Sequence, residues 1–186
     1  MLLGRGAKLG QSSEIVYAFI DSQNLNLGVR NDIINKNGSL IYTGWTLDFK
    51  KLYFYLKTKY KVSKVFLFIG KVAGNEGLYQ NLTQIGYEMR YKPTLQYVNG
   101  NGSPQTKGNV DSELVLHTMI EYSHFDKAII ISGDGDYFCL VEYLEKNNKL
   151  LHLMIPNRFQ YSSLLRPYAN YMVFVSDLKM SLKKNH

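Results

Sequence analysis

Hydrophobic residues in this chain fall into short continuous runs separated by stretches in which apolar positions recur at helical spacing. The segments 15–20, 62–69 and 127–131 have strand length, and each contains a continuous apolar run, at 15–20, 65–69 and 128–131 respectively. Continuous apolar runs are typical of strands that are buried on both faces of a parallel sheet. The pattern predicts further strands at 87–91, 150–155 and 172–175.

Amphipathic stretches between these runs predict the helices. Apolar residues recur every three or four positions, which places them on one helical face. The residues 21–24 can cap a short helix that continues to Val29, whereas 31–43 and 99–104 are polar and rich in turn formers. The predicted helices are 46–59, 77–85, 111–122, 137–147 and, as a short one, 160–165.

Strands that alternate with helices predict an α/β fold, a Rossmann-like three-layer α/β/α sandwich with a mostly parallel central sheet. We expect one domain over 14–178, a Gly-, Lys- and Ser-rich lead-in at 1–13 and a basic tail at 179–186. In such a sheet, ligands bind outside the carboxyl ends of the strands, near the point where the strand order reverses.

The composition narrows the functional class. No apolar run approaches the roughly 20 residues of a membrane helix, and the start lacks the apolar stretch of a signal peptide. The single cysteine, Cys139, excludes an internal disulfide and a thiolate metal site. We therefore expect a cytoplasmic protein with no membrane partner. The net charge of +7 favours polyanionic partners such as nucleic acid, although charge alone does not require one.

Aspartates occur where the predicted sheet would place a site. Asp21 follows the first apolar run, Asp134 and Asp136 follow the run that ends at Ile131, and Asp111 begins a predicted helix. Carboxylates gathered at one edge repel one another unless a cation neutralises them. Ligands that are all oxygen atoms suit Mg²⁺ or Mn²⁺, which can hold a scissile phosphate for in-line displacement.

Each aspartate also has an ordinary structural explanation. Asp21 could cap the following helix, Asp111 could offset a helix dipole, and Asp-Gly-Asp at 134–136 is common in turns. None of these explanations accounts for the acids falling together at one predicted edge.

Three motifs carry a resemblance to a known family. Phe-Ile-Asp-Ser-Gln-Asn-Leu at 19–25, Lys-Gly-Asn-Val-Asp at 107–111 and Ile-Ser-Gly-Asp-Gly-Asp-Tyr at 131–137 occur in the order found in NYN domains. These domains are a branch of the PIN-like ribonucleases, and the resemblance spans about residues 15–178. It implies a site for Mg²⁺ or Mn²⁺ held by Asp21, Asp111, Asp134 and Asp136. It also implies that Asn24 shapes the first loop and that Ser132 touches a phosphate or a metal-bound water.

Basic and aromatic residues supply candidate RNA contacts. Lys107 could bind a non-bridging phosphate oxygen, and Arg90 and Arg158 could bind the backbone. Each of them could equally be an ordinary surface residue. The tyrosines at 91, 97 and 161 could stack on unpaired bases, although half-buried packing is the commoner role for such residues.

The leading hypothesis is a metal-dependent ribonuclease, and more specifically an endoribonuclease acting on single-stranded or structured RNA. The alternative is a non-catalytic RNA-binding or adaptor module that retains the PIN-like fold. A haloacid-type phosphatase is disfavoured because Gln23 stands where it needs a second aspartate, and a topoisomerase-primase domain would need glutamate at Asp21. A homodimer is open, since the aromatic stripe of Trp45, Phe49, Tyr53 and Phe54 could form a dimer face as readily as core.

Overall fold

A computed structural model of the chain describes residues 14–93, 95–98, 104–107 and 110–185. The predicted lead-in at 1–13 lies outside the described residues, and so do the side chains of 93–109. In chain order the strands are β1 (Val16–Asp21), β2 (Ile33–Ile34), β3 (Leu40–Tyr42), β4 (Val62–Lys71), β5 (Glu88–Pro93), β6 (Leu95–Val98), β7 (Pro104–Lys107), β8 (Lys127–Ile131), β9 (Leu150–Ile155) and β10 (Met172–Phe174). The α-helices are α1 (Ser22–Arg30), α2 (Phe49–Lys59), α3 (Glu76–Ile85), α4 (Asp111–Ile120), α5 (Phe138–Lys146) and α6 (Lys179–Leu182), and shorter 3₁₀ turns cover Gly135–Tyr137, Ser163–Tyr171 and Val175–Leu178.

The central sheet has six parallel strands in the order β10-β9-β8-β1-β4-β5. From β1 the chain builds outward through β4 and β5, then returns to the other side of β1 and builds outward through β8, β9 and β10. The strand order therefore reverses between β1 and β8, which places the expected binding crevice at their carboxyl ends.

Helices cover both faces of this sheet because its strands are apolar at successive positions. On one face, Ile20 and Leu67 pack with Leu25, Leu52 and Leu82 from the first three helices, and all five are at most 3% exposed. Burying a side chain of this size stabilises the fold by roughly 1.5–3 kcal/mol.

The opposite face carries a separate, more aromatic layer. Phe19 and Phe66 stack there with ring centroids 5.2 Å apart, and Leu114 of α4 and Leu144 of α5 cover them. The three-layer α/β/α sandwich predicted from the sequence is confirmed.

Two short antiparallel hairpins are additions to the sequence prediction. β2 and β3 pair within the stretch 31–43, and β6 pairs with β7 around the loop 99–103, which lies outside the described residues. In the first hairpin, Gly38 has a φ of 79°, and the side chain of Asn35 accepts hydrogen bonds from the backbone N–H groups of Asn37 and Ser39. Ile34 and Leu40 are more than half exposed, so the hydrophobic pattern gives little signal for these strands.

Most of the aromatic stripe belongs to the core. Trp45 is buried, and Phe49 and Tyr53 are partly buried against the same cluster. Phe54 is half exposed.

The basic segment after 178 is partly helical. Its helix α6 is followed by Lys183, which pairs with Leu47 in an isolated antiparallel bridge. In the part of the chain that the structure describes, none of the helices is long and apolar enough to cross a membrane.

Candidate metal centre

Three carboxylates meet beyond the carboxyl ends of β1 and β8. One oxygen from each of Asp111, Asp134 and Asp136 lies within 4.8 Å of the others. Asp111 begins α4, and the other two lie in the turn that follows β8, so the fold unites residues that are more than 20 positions apart. Asp136 is exposed, whereas the other two are half-buried.

The turn after β8 fixes the spacing of two of these acids. Asp134 caps the 3₁₀ turn, because its Oδ1 accepts a hydrogen bond from the backbone N–H of Asp136 at 3.1 Å. The negative charges of Asp134 and then Asp111 raise the pKa of Asp136 above its usual range. A divalent cation bound between the carboxylates would relieve this repulsion.

Asp21 lies next to the cluster but outside the group of three. It is 5% exposed, and its Oδ1 accepts a hydrogen bond from the backbone N–H of Asn24 at 2.9 Å. It therefore does cap α1, as its structural explanation predicted. Burial raises the pKa of this carboxyl, and hydrogen bonds from Asn24 and Tyr137 oppose that shift.

Tyr137 connects Asp21 to the cluster, a role that the residue pattern alone did not indicate. Its hydroxyl donates toward Asp111 Oδ1 at 2.7 Å and toward Asp21 Oδ2 at 3.1 Å. The side chain is fully buried, and this burial raises the pKa of the hydroxyl, so it remains a donor. The signal available in the sequence was the aromatic residue that closes the third motif.

Asn24 and Ser132 support the turn after β8 from within the protein. Asn24 Oδ1 accepts a hydrogen bond from the backbone N–H of Gly133 at 2.8 Å, which ties α1 to the turn. Ser132 is 1% exposed, and its Oγ accepts from the backbone N–H of Asp134 at 3.2 Å. This hydrogen bond helps to hold the turn in place, and contact of Ser132 with a phosphate or a metal-bound water stays a prediction.

Glycines let this turn pack closely against the chain that follows β9. A Cβ atom on Gly133 would lie 3.2 Å from Tyr161 Cβ, and one on Gly135 would overlap Ser162 Oγ. The backbone N–H of Ser162 donates to the Gly133 carbonyl at 2.9 Å. A larger residue at either position would require the turn or the neighbouring segment at 161–162 to shift.

A cavity of about 630 Å³ opens beside the acids. Asp134 and Asp136 form one wall, and Asn31, Gln160 and Tyr161 contribute polar and aromatic groups to the others. Its size is within the usual range for a small-molecule site, roughly 300–1,000 Å³.

Most of the other predicted RNA contacts lie outside this cavity or have side chains outside the described residues. Arg90 pairs with Glu88 and lies over the ring of Phe66, and Arg158 pairs with Asp177 at 2.7 Å. Neither arginine lines the cavity. The predicted tyrosines differ in position, since Tyr91 packs against Tyr79 and Tyr161 lines the cavity. Lys107 lies in β7 and Tyr97 in β6, with side chains outside the described residues.

The donor set fits a hard divalent cation. Its ligands are carboxylate oxygens close enough to share one ion, and no sulfur or imidazole joins them among the described residues. Such ligands suit Mg²⁺ or Mn²⁺ better than metals that prefer thiolate or imidazole.

Comparisons with known proteins agree with this architecture. A crystal structure of a Vibrio parahaemolyticus protein of unknown function aligns with a TM-score of 0.67 at 21% identity, covering 90% of this chain and 96% of that one. A comparison with curated proteins found no match. The family model of the NYN domain matches residues 16–177, which is most of the chain. This protein therefore belongs to the NYN domain family, whose PIN-like relatives include nucleases.

Proposed function

We propose that this protein is a metal-dependent endoribonuclease that hydrolyses phosphodiester bonds in RNA. The observation that carries the proposal is the meeting of Asp111, Asp134 and Asp136 at the point where the strand order reverses. The membership of the NYN family supports the same reaction class.

The side chains around the cluster divide into ligands and positioning groups. Asp111, Asp134 and Asp136 would hold Mg²⁺ or Mn²⁺, which supplies Lewis acidity for the phosphoryl oxygens when it is bound. Tyr137 orients Asp111 through its hydroxyl. Asp21 anchors that hydroxyl from the other side and is a fourth, more buried candidate ligand.

The proposal that RNA is the substrate rests on the charge of the protein and the shape of the cavity. The net charge of +7 favours a polyanion, and the cavity beside Asp134 admits a nucleotide with Tyr161 at its wall. Lys107, Arg90 and Arg158 remain proposed backbone contacts for a longer strand.

The direct test is cleavage of labelled single-stranded RNA with Mn²⁺ or with chelator. The wild-type protein should cut only with the ion. Asp134→Asn should lower the rate at least about a hundredfold, because loss of a ligand typically costs metal affinity and catalysis together. Glu145→Gln on α5 is the matched control, since it also removes one carboxylate and should leave cleavage unchanged.

Equal cleavage by wild type and Asp134→Asn would refute this assignment. Cleavage that persists in chelator would also refute it, because the carboxylates alone cannot neutralise the negative charge of the reacting phosphate.

The second candidate is an RNA-binding or adaptor module without catalysis. It is favoured by the burial of Asp21, both of whose oxygens already accept hydrogen bonds within the protein. Under this alternative the wild-type protein would retain labelled RNA intact with Mn²⁺ over hours, and Asp134→Asn would bind it equally well.

A further inference from the structure

Positive charge is concentrated in two stretches of the sequence that the candidate site does not use. Residues 49–61 contain five lysines and no acid, and 178–185 contain three lysines and no acid. The lysines concerned are Lys50, Lys51, Lys57, Lys59 and Lys61 in the first stretch, and Lys179, Lys183 and Lys184 in the second.

The fold brings these two stretches together. The backbone N–H of Lys184 donates to the Thr46 carbonyl at 2.9 Å, and Leu47 pairs with Lys183. Lys51 Nζ donates to the Lys183 carbonyl at 2.8 Å, which ties α2 to the end of α6. The start of α2 therefore lies beside the end of α6. The surface formed by these two helices and the residues that follow each of them is here called the basic face.

The charge of the basic face is not neutralised by the protein. Elsewhere lysines pair with acids, as in Lys64 with Glu121 and Lys146 with Glu142. Within the described ranges, none of the eight lysines of the basic face forms an ion pair. The acid that lines this surface, Asp48, is engaged in capping α2 through the backbone N–H groups of Lys50 and Lys51.

A shallow groove with an exposed aromatic ring runs across the basic face. Its volume is about 520 Å³, and it is lined by residues of α2 and α6 that include Phe54, Tyr55 and Ser181. Phe54 is 50% exposed. Lys50 and Lys51, which form no ion pair, line the same groove as this ring. An aromatic ring beside such lysines offers stacking for a base and charge for its phosphates, the combination that binds single-stranded nucleic acid.

We propose that the basic face is a second RNA-binding surface, separate from the acidic cluster, that holds the backbone of single-stranded RNA. The choice of RNA among polyanions rests on the proposed function, whereas the preference for a polyanion rests on the unpaired charge alone.

The test compares two triple variants that lower the net charge equally. Lys50→Gln/Lys59→Gln/Lys184→Gln removes three exposed lysines of the basic face. Lys64→Gln/Lys127→Gln/Lys146→Gln removes three lysines whose ammonium groups already contact Glu121, the Asn148 carbonyl and Glu142. Binding of an unstructured, fluorescently labelled RNA of about 20 nucleotides, enough to span more than one single-strand site, is measured against salt concentration in chelator.

We expect the basic-face triple variant to flatten the slope of log affinity against log salt by about 2, since each phosphate contact on a single strand contributes about 0.7. The control triple should change it by less than half as much. Phe54→Ala should weaken binding by at least about fivefold, because it removes one stacking platform. Thermal melting checks that each variant is folded.

Equal loss in the two triple variants would overturn the proposal, because net charge would then explain the binding. A loss of binding to phosphatidylserine vesicles without a loss for RNA would also overturn it and assign the basic face to a membrane. Chelator prevents metal-dependent cleavage in every arm, so the outcome does not depend on whether the acidic cluster is catalytic. The binding comparison would therefore still test the basic face if the nuclease assay showed no cleavage.

Discussion

Replacing Tyr137 by phenylalanine removes one hydroxyl from between two carboxylates. In the wild-type protein that hydroxyl lies 2.7 Å from Asp111 Oδ1 and 3.1 Å from Asp21 Oδ2. Phenylalanine keeps the ring that packs with Leu140, Leu144 and their neighbours in the core. The variant therefore isolates the polar link from the packing of the side chain.

The expected loss of stability follows from the burial of Asp21. A hydrogen bond to a charged group contributes about 1.5–3 kcal/mol. Removing the Tyr137 donor leaves a 5%-exposed carboxylate with the backbone N–H donors of Asn24 and Gln23. The two carboxylates would also face each other without a donor between them. We expect Tyr137→Phe to lower the free energy of unfolding by roughly 2–3 kcal/mol. For a chain of 186 residues this corresponds to a fall of roughly 4–12 °C in melting temperature.

The assay is urea unfolding near neutral pH in chelator, so that no cation compensates for the lost donor. Tyr168→Phe is the matched control, because Tyr168 is also buried and its hydroxyl makes no hydrogen bond within the described part of the chain. That variant should change stability by less than about 1 kcal/mol. If Tyr137→Phe were as stable as wild type, or no worse than Tyr168→Phe, the hydroxyl would not be the link between Asp21 and the cluster.

Two further predictions concern the turn after β8 and the histidines. Gly135→Ala should lower the free energy of unfolding, measured in urea, by about 1–3 kcal/mol and should weaken Mn²⁺ binding, because the added Cβ would overlap Ser162 Oγ. Gly77→Ala is the control: the added Cβ meets open space in α3, so this variant should be neutral or stabilising. The free energy of unfolding should fall as the pH drops below about 6.5. Burial lowers the pKa of His117 and His152 in the folded state, so the unfolded state binds protons in a pH range where the folded state does not. A double His117→Gln/His152→Gln variant should flatten that dependence between neutral pH and the folded-state pKa values, and an unchanged slope would mean that other groups cause it.

The hydrophobic pattern was sufficient for the central sheet because its strands are buried on both faces. Runs such as 15–20 and 128–131 are apolar at each position, the pattern that is typical of a strand buried on both faces. The hairpin of β2 and β3 was not predictable in the same way. Ile34 and Leu40 are largely exposed there, and short pairing held by turn geometry leaves no periodic signal.

The acidic cluster was predictable in outline because strand ends in a parallel sheet share one edge. The sequence could not distinguish which acids would meet. Asp21 points to the same side as the cluster, but burial and the cap of α1 hold it behind Tyr137. That distinction depends on side-chain geometry across 116 residues of chain, which no local motif encodes.

The basic segment after 178 illustrates a different limit. Charge at a chain end is common and usually means a solvated tail. Here Leu182 is fully buried and α6 packs against α2. The segment therefore contributes an apolar side chain to the core as well as positive charge to the surface. A single buried leucine among lysines and polar residues is too weak a pattern to predict docking.

The most direct test of the account is Mn²⁺ binding followed by electron paramagnetic resonance, which counts the ion that remains free. The wild-type protein should remove Mn²⁺ from solution, Mg²⁺ should compete for it, and a variant with Asp111, Asp134 and Asp136 all changed to asparagine should leave the ion free while remaining folded. The Glu145→Gln protein should bind as wild type does. Mn²⁺ binding that is undiminished in the triple variant, or no binding by the wild-type protein, would contradict the claim that these carboxylates share a divalent cation.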